Sequence, residues 1–263
     1  PIQSCQLTNS NGCDSTAVLN LTINSGDTSY TSVTACDSYT WNDSTYAQSG
    51  TYFSNTSSNN NYSISFDGNQ DYINGPTGIL DGVSSFSLNA WVRIESSTGS
   101  NQAIVSRWRN NGGSSKNYTL ETQSNGRTVQ FVIQQDNGTQ VSVTSSILLD
   151  FGVWHFISSV IDGYNLSLYI DGNLVGGQIL TDVRLSNYDI SNILTIGGGH
   201  VGTVPNYYSV NGLIDDVQIW SQPLSQIDIQ NYMNCPPTGN ESGLLGYWNF
   251  EEGSGNTVLD LTS

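Results

Sequence analysis

The chain has 263 residues and a formal charge of −16 at pH 7, from 22 Asp and Glu against 6 Lys and Arg, which excludes a nucleic-acid binder acting through a basic surface. Charged residues make up only 11% of the chain while Ser, Thr and Asn supply 90 residues, so water is met mainly by neutral polar groups. Hydrophobic residues at 36%, with 14 Tyr and 6 Trp, still suffice for a sizeable core, which excludes a low-complexity linker.

The first 60 residues hold three of the four cysteines, Cys5, Cys13 and Cys36; the fourth is Cys235. With a single lysine, Lys116, and this polar composition, the chain reads as a secreted or cell-surface protein, in which disulfides are permitted. Four cysteines allow three connectivities, and sequence alone does not choose among them. Cys5 with Cys13, close enough to close a hairpin, and Cys36 with Cys235 is the preferred set. No Cys-x-x-Cys or Cys/His cluster occurs, so structural zinc is not expected. No run of about 18 apolar residues offers a membrane span, and no membrane insertion is expected.

From Ser63 onward the text alternates polar and apolar with frequent turn punctuation, as in Ser87-Leu88-Asn89-Ala90-Trp91-Val92-Arg93-Ile94. Such segments are half-buried strands. They are expected at 63–66, 87–94, 102–108, 117–122, 128–135, 139–144, 153–162, 165–171, 193–197 and 211–220. Asn125-Gly126, Asn137-Gly138, Asp162-Gly163 and Asp171-Gly172 supply the turn chemistry that tight hairpins require. One helix is expected from Pro223 to Met233, with Ser225 near its start and Cys235-Pro236-Pro237 ending it. Many short strands and one short helix predict an all-β, two-sheet antiparallel jelly-roll sandwich.

Three signatures in order, Phe66-Asp67-Gly68-Asn69-Gln70-Asp71-Tyr72-Ile73, Phe86-Ser87-Leu88-Asn89-Ala90-Trp91-Val92 and Ile214-Asp215-Asp216-Val217-Gln218-Ile219-Trp220, resemble the laminin-G-like, concanavalin-A-like jelly roll. The hairpin from Trp154 to Val175 resembles the same family. Upstream, Ala35-Cys36-Asp37-Ser38-Tyr39-Thr40-Trp41-Asn42 and Asn11-Gly12-Cys13-Asp14 resemble parts of short β repeats of large Bacteroidetes surface proteins, in inverted order. Residues 1–60 are therefore expected to form a short N-terminal β region, and 61–263 the jelly roll. Gly246-Tyr247-Trp248-Asn249-Phe250 resembles the strand that precedes the Phe-Asp-Gly motif in such domains, yet it stands at the other end. A sheet lacking that strand leaves an edge to be covered. Residues 246–251 folding back as a permuted strand is preferred over a strand donated by a neighbour.

Glycan-cleaving relatives on this architecture carry paired carboxylates on one strand, and no such strand occurs here. Glu251-Glu252 and Asp215-Asp216 are adjacent, so on a strand they point to opposite faces. His155 and His200 lie far apart, and no Gly-x-Ser-x-Gly element is present. No enzyme activity is expected. The resemblance implies a structural Ca²⁺, with Asp67, Asn69 and Asp71 in one loop and Asp215 and Asp216 on a late strand as candidate oxygen ligands; the competing reading makes these residues turns and solvated edges. For ligand binding, the loop carrying His200, Asn206, Tyr207 and Tyr208, and Trp108 on another loop, offer rings that stack on sugars and groups that bond their hydroxyls. The expected function is a secreted or cell-surface, non-catalytic module for adhesion or carbohydrate recognition, its partner a glycan or an extracellular protein. The alternative is a structural repeat of an extracellular fibre or filament that pairs edges with neighbouring copies of itself.

Overall fold

A computed structural model describes residues 3–8, 14–19, 39–41, 44–46, 61–108, 116–135, 137–180, 193–201 and 204–262. The chain divides into two compact units, 1–57 and 58–263. In the first, β1 (Gln3–Thr8) pairs antiparallel with β2 (Asp14–Leu19), and β3 (Tyr39–Trp41) with β4 (Ser44–Tyr46). Cys5 lies in β1, whereas Cys13 and Cys36 lie outside the described residues. Cys235, in the second unit, is exposed with a free thiol; its expected partner Cys36 lies outside the described residues.

The second unit is a two-sheet antiparallel sandwich. Its strands are β5 (Ile64–Asp67), β6 (Ile73–Thr77), β7 (Phe86–Ile94), β8 (Gln102–Trp108), β9 (Lys116–Thr122), β10 (Thr128–Gln134), β11 (Gln140–Leu148), β12 (Trp154–Asp162), β13 (Asn165–Ile170), β14 (Asn173–Ile179), β15 (Ile193–Ile196), β16 (Gly199–Val201), β17 (Val204–Tyr207), β18 (Asn211–Trp220) and β19 (Leu244–Trp248). One sheet has the order β11-β10-β9-β8-β15-β6; the other runs β14-β13-β12-β7-β18-β19, with β5 also on β18. Period-two alternation decides which side chains enter the core. In the six-stranded sheet the register row Ile73, Ile196, Val105, Leu120, Phe131 and Val143 faces inward. It meets Phe86, Leu88, Ala90, Val92 and Ile94 of β7, all buried in the same cluster.

The far face of the seven-stranded sheet is also closed. Phe156, Val160, Trp220, Leu224, Ile229, Leu244 and Tyr247 form a second buried cluster there. Helix α1 (Gln226–Asn234) contributes Ile229, and a capping box starts it: Ser225 accepts from the Asp228 amide while the Asp228 carboxylate accepts from the Ser225 amide. That reciprocal pair satisfies two of the amides every helix leaves open at its first turn. Tyr232 packs on Trp220 with ring centroids 4.6 Å apart. Polar residues under this layer are bonded to each other: Asn89 Nδ2 and Trp220 Nε1 both donate to Gln218 Oε1.

The β18 edge is shared by two strands. β5 covers Asn211–Ile214 and β19 covers Val217–Trp220. Tyr247, Trp248 and Phe250 are buried, and Glu251 Oε1 accepts from the Asn61 and Tyr62 amides at 2.9 and 3.1 Å, tying the chain beyond β19 to the approach of β5. The Asp171-Gly172 turn between β13 and β14 has φ of +51° and +71°, the pair of positive values a two-residue type I′ hairpin requires. Among the described residues no helix is long and apolar enough to cross a membrane.

Candidate functional site

The outer face of the six-stranded sheet is turned away from the apolar core, and its centre is polar but buried. One residue along from the inward row, the register reads Asn74, Thr195, Ser106, Thr119, Val132 and Ser142. A second outer row runs Ala103, Glu121, Gln130 and Thr144. The two rows place hydroxyls, amides and one carboxylate side by side across the sheet. Exposure is graded: Asn74, Ser142 and Thr144 at the flanks are exposed, Gln130 and Val132 half-buried, and Thr195, Ser106, Thr119 and Glu121 at the centre buried.

Glu121 is the chemical focus of this face. It is 6% exposed, and burial pushes its carboxyl up to about 7, against hydrogen bonds from Asn101 and Thr119 that act in the opposite sense. Asn101 Nδ2 donates to Oε1 at 2.7 Å, and the Thr119 hydroxyl stands 3.4 Å from Oε2. Nearby, Thr195 Oγ1 donates to the Gly198 carbonyl at 2.6 Å. The Ser106 hydroxyl is buried without a protein partner. A buried, unsatisfied hydroxyl costs about 1 to 3 kcal/mol.

Of the residues expected to bind ligand, Tyr208 is the one whose side chain the structure describes. Tyr208 is half-buried with φ +80°, and its carbonyl accepts from the Ala103 amide at 2.7 Å. Trp108 ends β8 five residues further on, about 17 Å along an extended strand. His200 lies on β16, and Asn206 and Tyr207 on β17, a hairpin whose base adjoins β8. The side chains of Trp108, His200, Asn206 and Tyr207 lie outside what the structure describes.

The expected calcium ligands fall into two separate groups. Asp67, Asn69 and Asp71 close a turn on themselves: Asp67 Oδ1 accepts from the Asn69 amide and Asp71 Oδ2 from the Asp67 amide. Asp67 pairs with Asn211 in the register, so Asp215 stands about 13 Å further along β18. Asp215 and Asp216 are buried at an irregularity of that strand, where Asp215 Oδ1 accepts from the Asp216 amide and Asp216 Oδ1 from the Tyr247 hydroxyl at 2.6 Å. Burial raises the Asp216 carboxyl, which favours its neutral form. Among the described residues no three His, Cys, Asp or Glu side chains form a group that could hold a metal ion. His155 is an anchor: its Nδ1 bonds Asp171 at 2.8 Å while Nε2 accepts from the Asp150 amide at 3.3 Å.

A family model described as the concanavalin A-like lectin/glucanases superfamily matches residues 67–230, more than half of the chain. No curated protein matches the chain in sequence. Among solved structures, a Bacteroides ovatus protein to which carbohydrate binding is ascribed superposes with a TM-score of 0.60 at 16% identity, covering 76% of this chain and 55% of its own. The chain thus spans about half the length of that protein. The CBM40 domain of the Ruminococcus gnavus IT-sialidase, solved with α2,3-sialyllactose, gives a TM-score of 0.51 at 14% identity over 64% of this chain and 93% of its own. At such identities the likeness is one of fold.

Proposed function

The chain belongs to the concanavalin A-like lectin/glucanases superfamily, and from that premise we propose that its second unit is a non-catalytic carbohydrate-recognition module, working outside the cell or at its surface, in adhesion. The observation that carries this reading is the outer face of the six-stranded sheet, where Thr195, Ser106, Thr119 and Glu121 form a polar centre over a fully apolar inner row. Sugars present alternating hydroxyls and aliphatic faces, and a sheet of short hydroxyl and amide side chains offers matching donors and acceptors at strand spacing. The carbohydrate binding ascribed to the Bacteroides ovatus neighbour and the sugar bound by the CBM40 neighbour support the same reading.

A glycosidase needs two carboxyl groups about 5 to 9.5 Å apart across the bond it cuts. Glu121 is the one carboxylate among the described residues of this face, so it has no partner there for the acid and nucleophile roles. The experiment is a glycan array read with wild-type protein, Thr119→Val and Asn101→Ala, using Ile227→Ser on exposed helix α1 as the control. Binding lost in the two face variants and retained in the control supports the proposal. Binding that ignores both face substitutions, or none in the wild type, overturns it.

A further inference from the structure

Glu121 also fixes the charge of the face. The carboxylate offers about four lone-pair sites; Asn101 takes one at 2.7 Å and Thr119 reaches another only at 3.4 Å, so acceptor capacity remains for an incoming hydroxyl. The cations whose side chains are described, Arg93, Arg107 and Arg127, are committed elsewhere. Arg107 turns inward to the Ile79 carbonyl and Asp81, Arg93 pairs with Glu95 on the other sheet, and Arg127 pairs with Asp150. Along the described outer rows every remaining side chain is neutral, while the whole chain carries −16.

We propose that this face selects uncharged, hydroxyl-rich glycans and discriminates against sugars bearing a carboxylate, with Glu121 as the specificity-determining group. The proposal rests on the carbohydrate reading above and names its ligand class. A neutral sugar donates a hydroxyl to Glu121 in a charge-assisted bond, which gains strength where water is excluded. A uronate or sialate brought to the same place sets two anions together in a poorly solvated site, and the long-range field of the chain opposes its approach. The fold shared with the CBM40 domain, which was solved with an anionic sugar, therefore does not carry over the ligand. Specificity here is a matter of the charge set on one β9 position.

The test is isothermal titration at pH 8, where a carboxyl raised to about 7 is ionised, with neutral hexose oligosaccharides against their hexuronate counterparts, and lactose against α2,3-sialyllactose. Wild-type protein should bind at least one neutral probe, and its acidic counterpart tenfold or more weakly, a ratio within the range of one unscreened like-charge contact. Two variants should narrow that ratio. Glu121→Gln removes the charge in the same shape, and Gln130→Lys places a cation at the directly opposed register position, close enough to neutralise it. If Glu121→Gln loses all binding, Gln130→Lys decides. Acidic probes bound as tightly as neutral ones by wild type, or a ratio that Gln130→Lys leaves unchanged, overturns the charge selection. Failure of every probe to bind overturns the carbohydrate reading itself.

Discussion

Replacing Glu121 by Gln should stabilise the second unit at pH 8 while weakening its ligand binding. Burial moves the carboxyl from 4.5 to about 7. A carboxyl raised on folding favours the folded state fully below about 4.5, and this contribution is lost as pH climbs through about 7. The difference corresponds to about 3 kcal/mol at pH 8, taking 1.36 kcal/mol per pH unit. The substituted side chain would keep an amide oxygen for Asn101 Nδ2, now 2.7 Å from Glu121 Oε1, and would carry no charge. The substitution should therefore raise the melting temperature by roughly 6 to 12 °C at pH 8 for a unit of this size and leave it nearly unchanged at pH 4.5. Calorimetry of both proteins from pH 4.5 to 8, taken as the difference between them, cancels other titrating groups such as the buried Asp216. A variant less stable than wild type by the same amount at every pH would make Glu121 a structural anchor for Asn101 and refute the reasoning.

Gly197→Ala should lose about 3 kcal/mol or more in denaturant unfolding, because φ is +79° and an added Cβ would lie 2.1 Å from the Phe66 ring; a near-neutral result would mean that the β15 exit is not packed on β5. Trp248→Ala should cost about 3 to 5 kcal/mol, since this buried side chain belongs to the main core and its strand covers the second half of β18; loss below about 1 kcal/mol would show β19 undocked. Asp171→Ala should cost about 2 kcal/mol by releasing the Phe156 amide and His155, which amide exchange at Phe156 would report; unchanged protection there would refute it. Ca²⁺ and excess chelator should give unfolding midpoints within ~1 °C of each other, because Asp67 and Asp215 stand about 13 Å apart and cannot share one ion; a clear rise with Ca²⁺ would contradict that separation.

The fold was largely legible because its strongest determinants are local. Period-two segments such as Phe86–Ile94 and Asn211–Trp220 are strands with the expected limits within a residue, and the Ser225 cap sets the helix start. β6 escaped notice because Gly75 and Pro76 break its pattern and only pairing with β15 makes it a strand. The site was much less legible. Glu121 looked like one polar position of an alternating strand, and its significance comes from neighbours far away in sequence: Ser106 and Thr195 reach the same face through β8 and β15. The available signal was Asn117-Tyr118-Thr119-Leu120-Glu121, in which an acid shares a strand face with short polar groups. Asp67, Asp71, Asp215 and Asp216, which look like one ligand set in sequence, are held in two separate groups by bonds to backbone amides and to Tyr247.

The most direct measurement is amide chemical-shift mapping of the second unit during titration with whichever neutral oligosaccharide binds best. The account predicts the largest changes at Thr119, Glu121 and Gln130, weaker ones at Ser142 and Thr144, and none at helix α1. Saturable changes confined to α1, β13 and β14, with β8 to β10 silent, would contradict it.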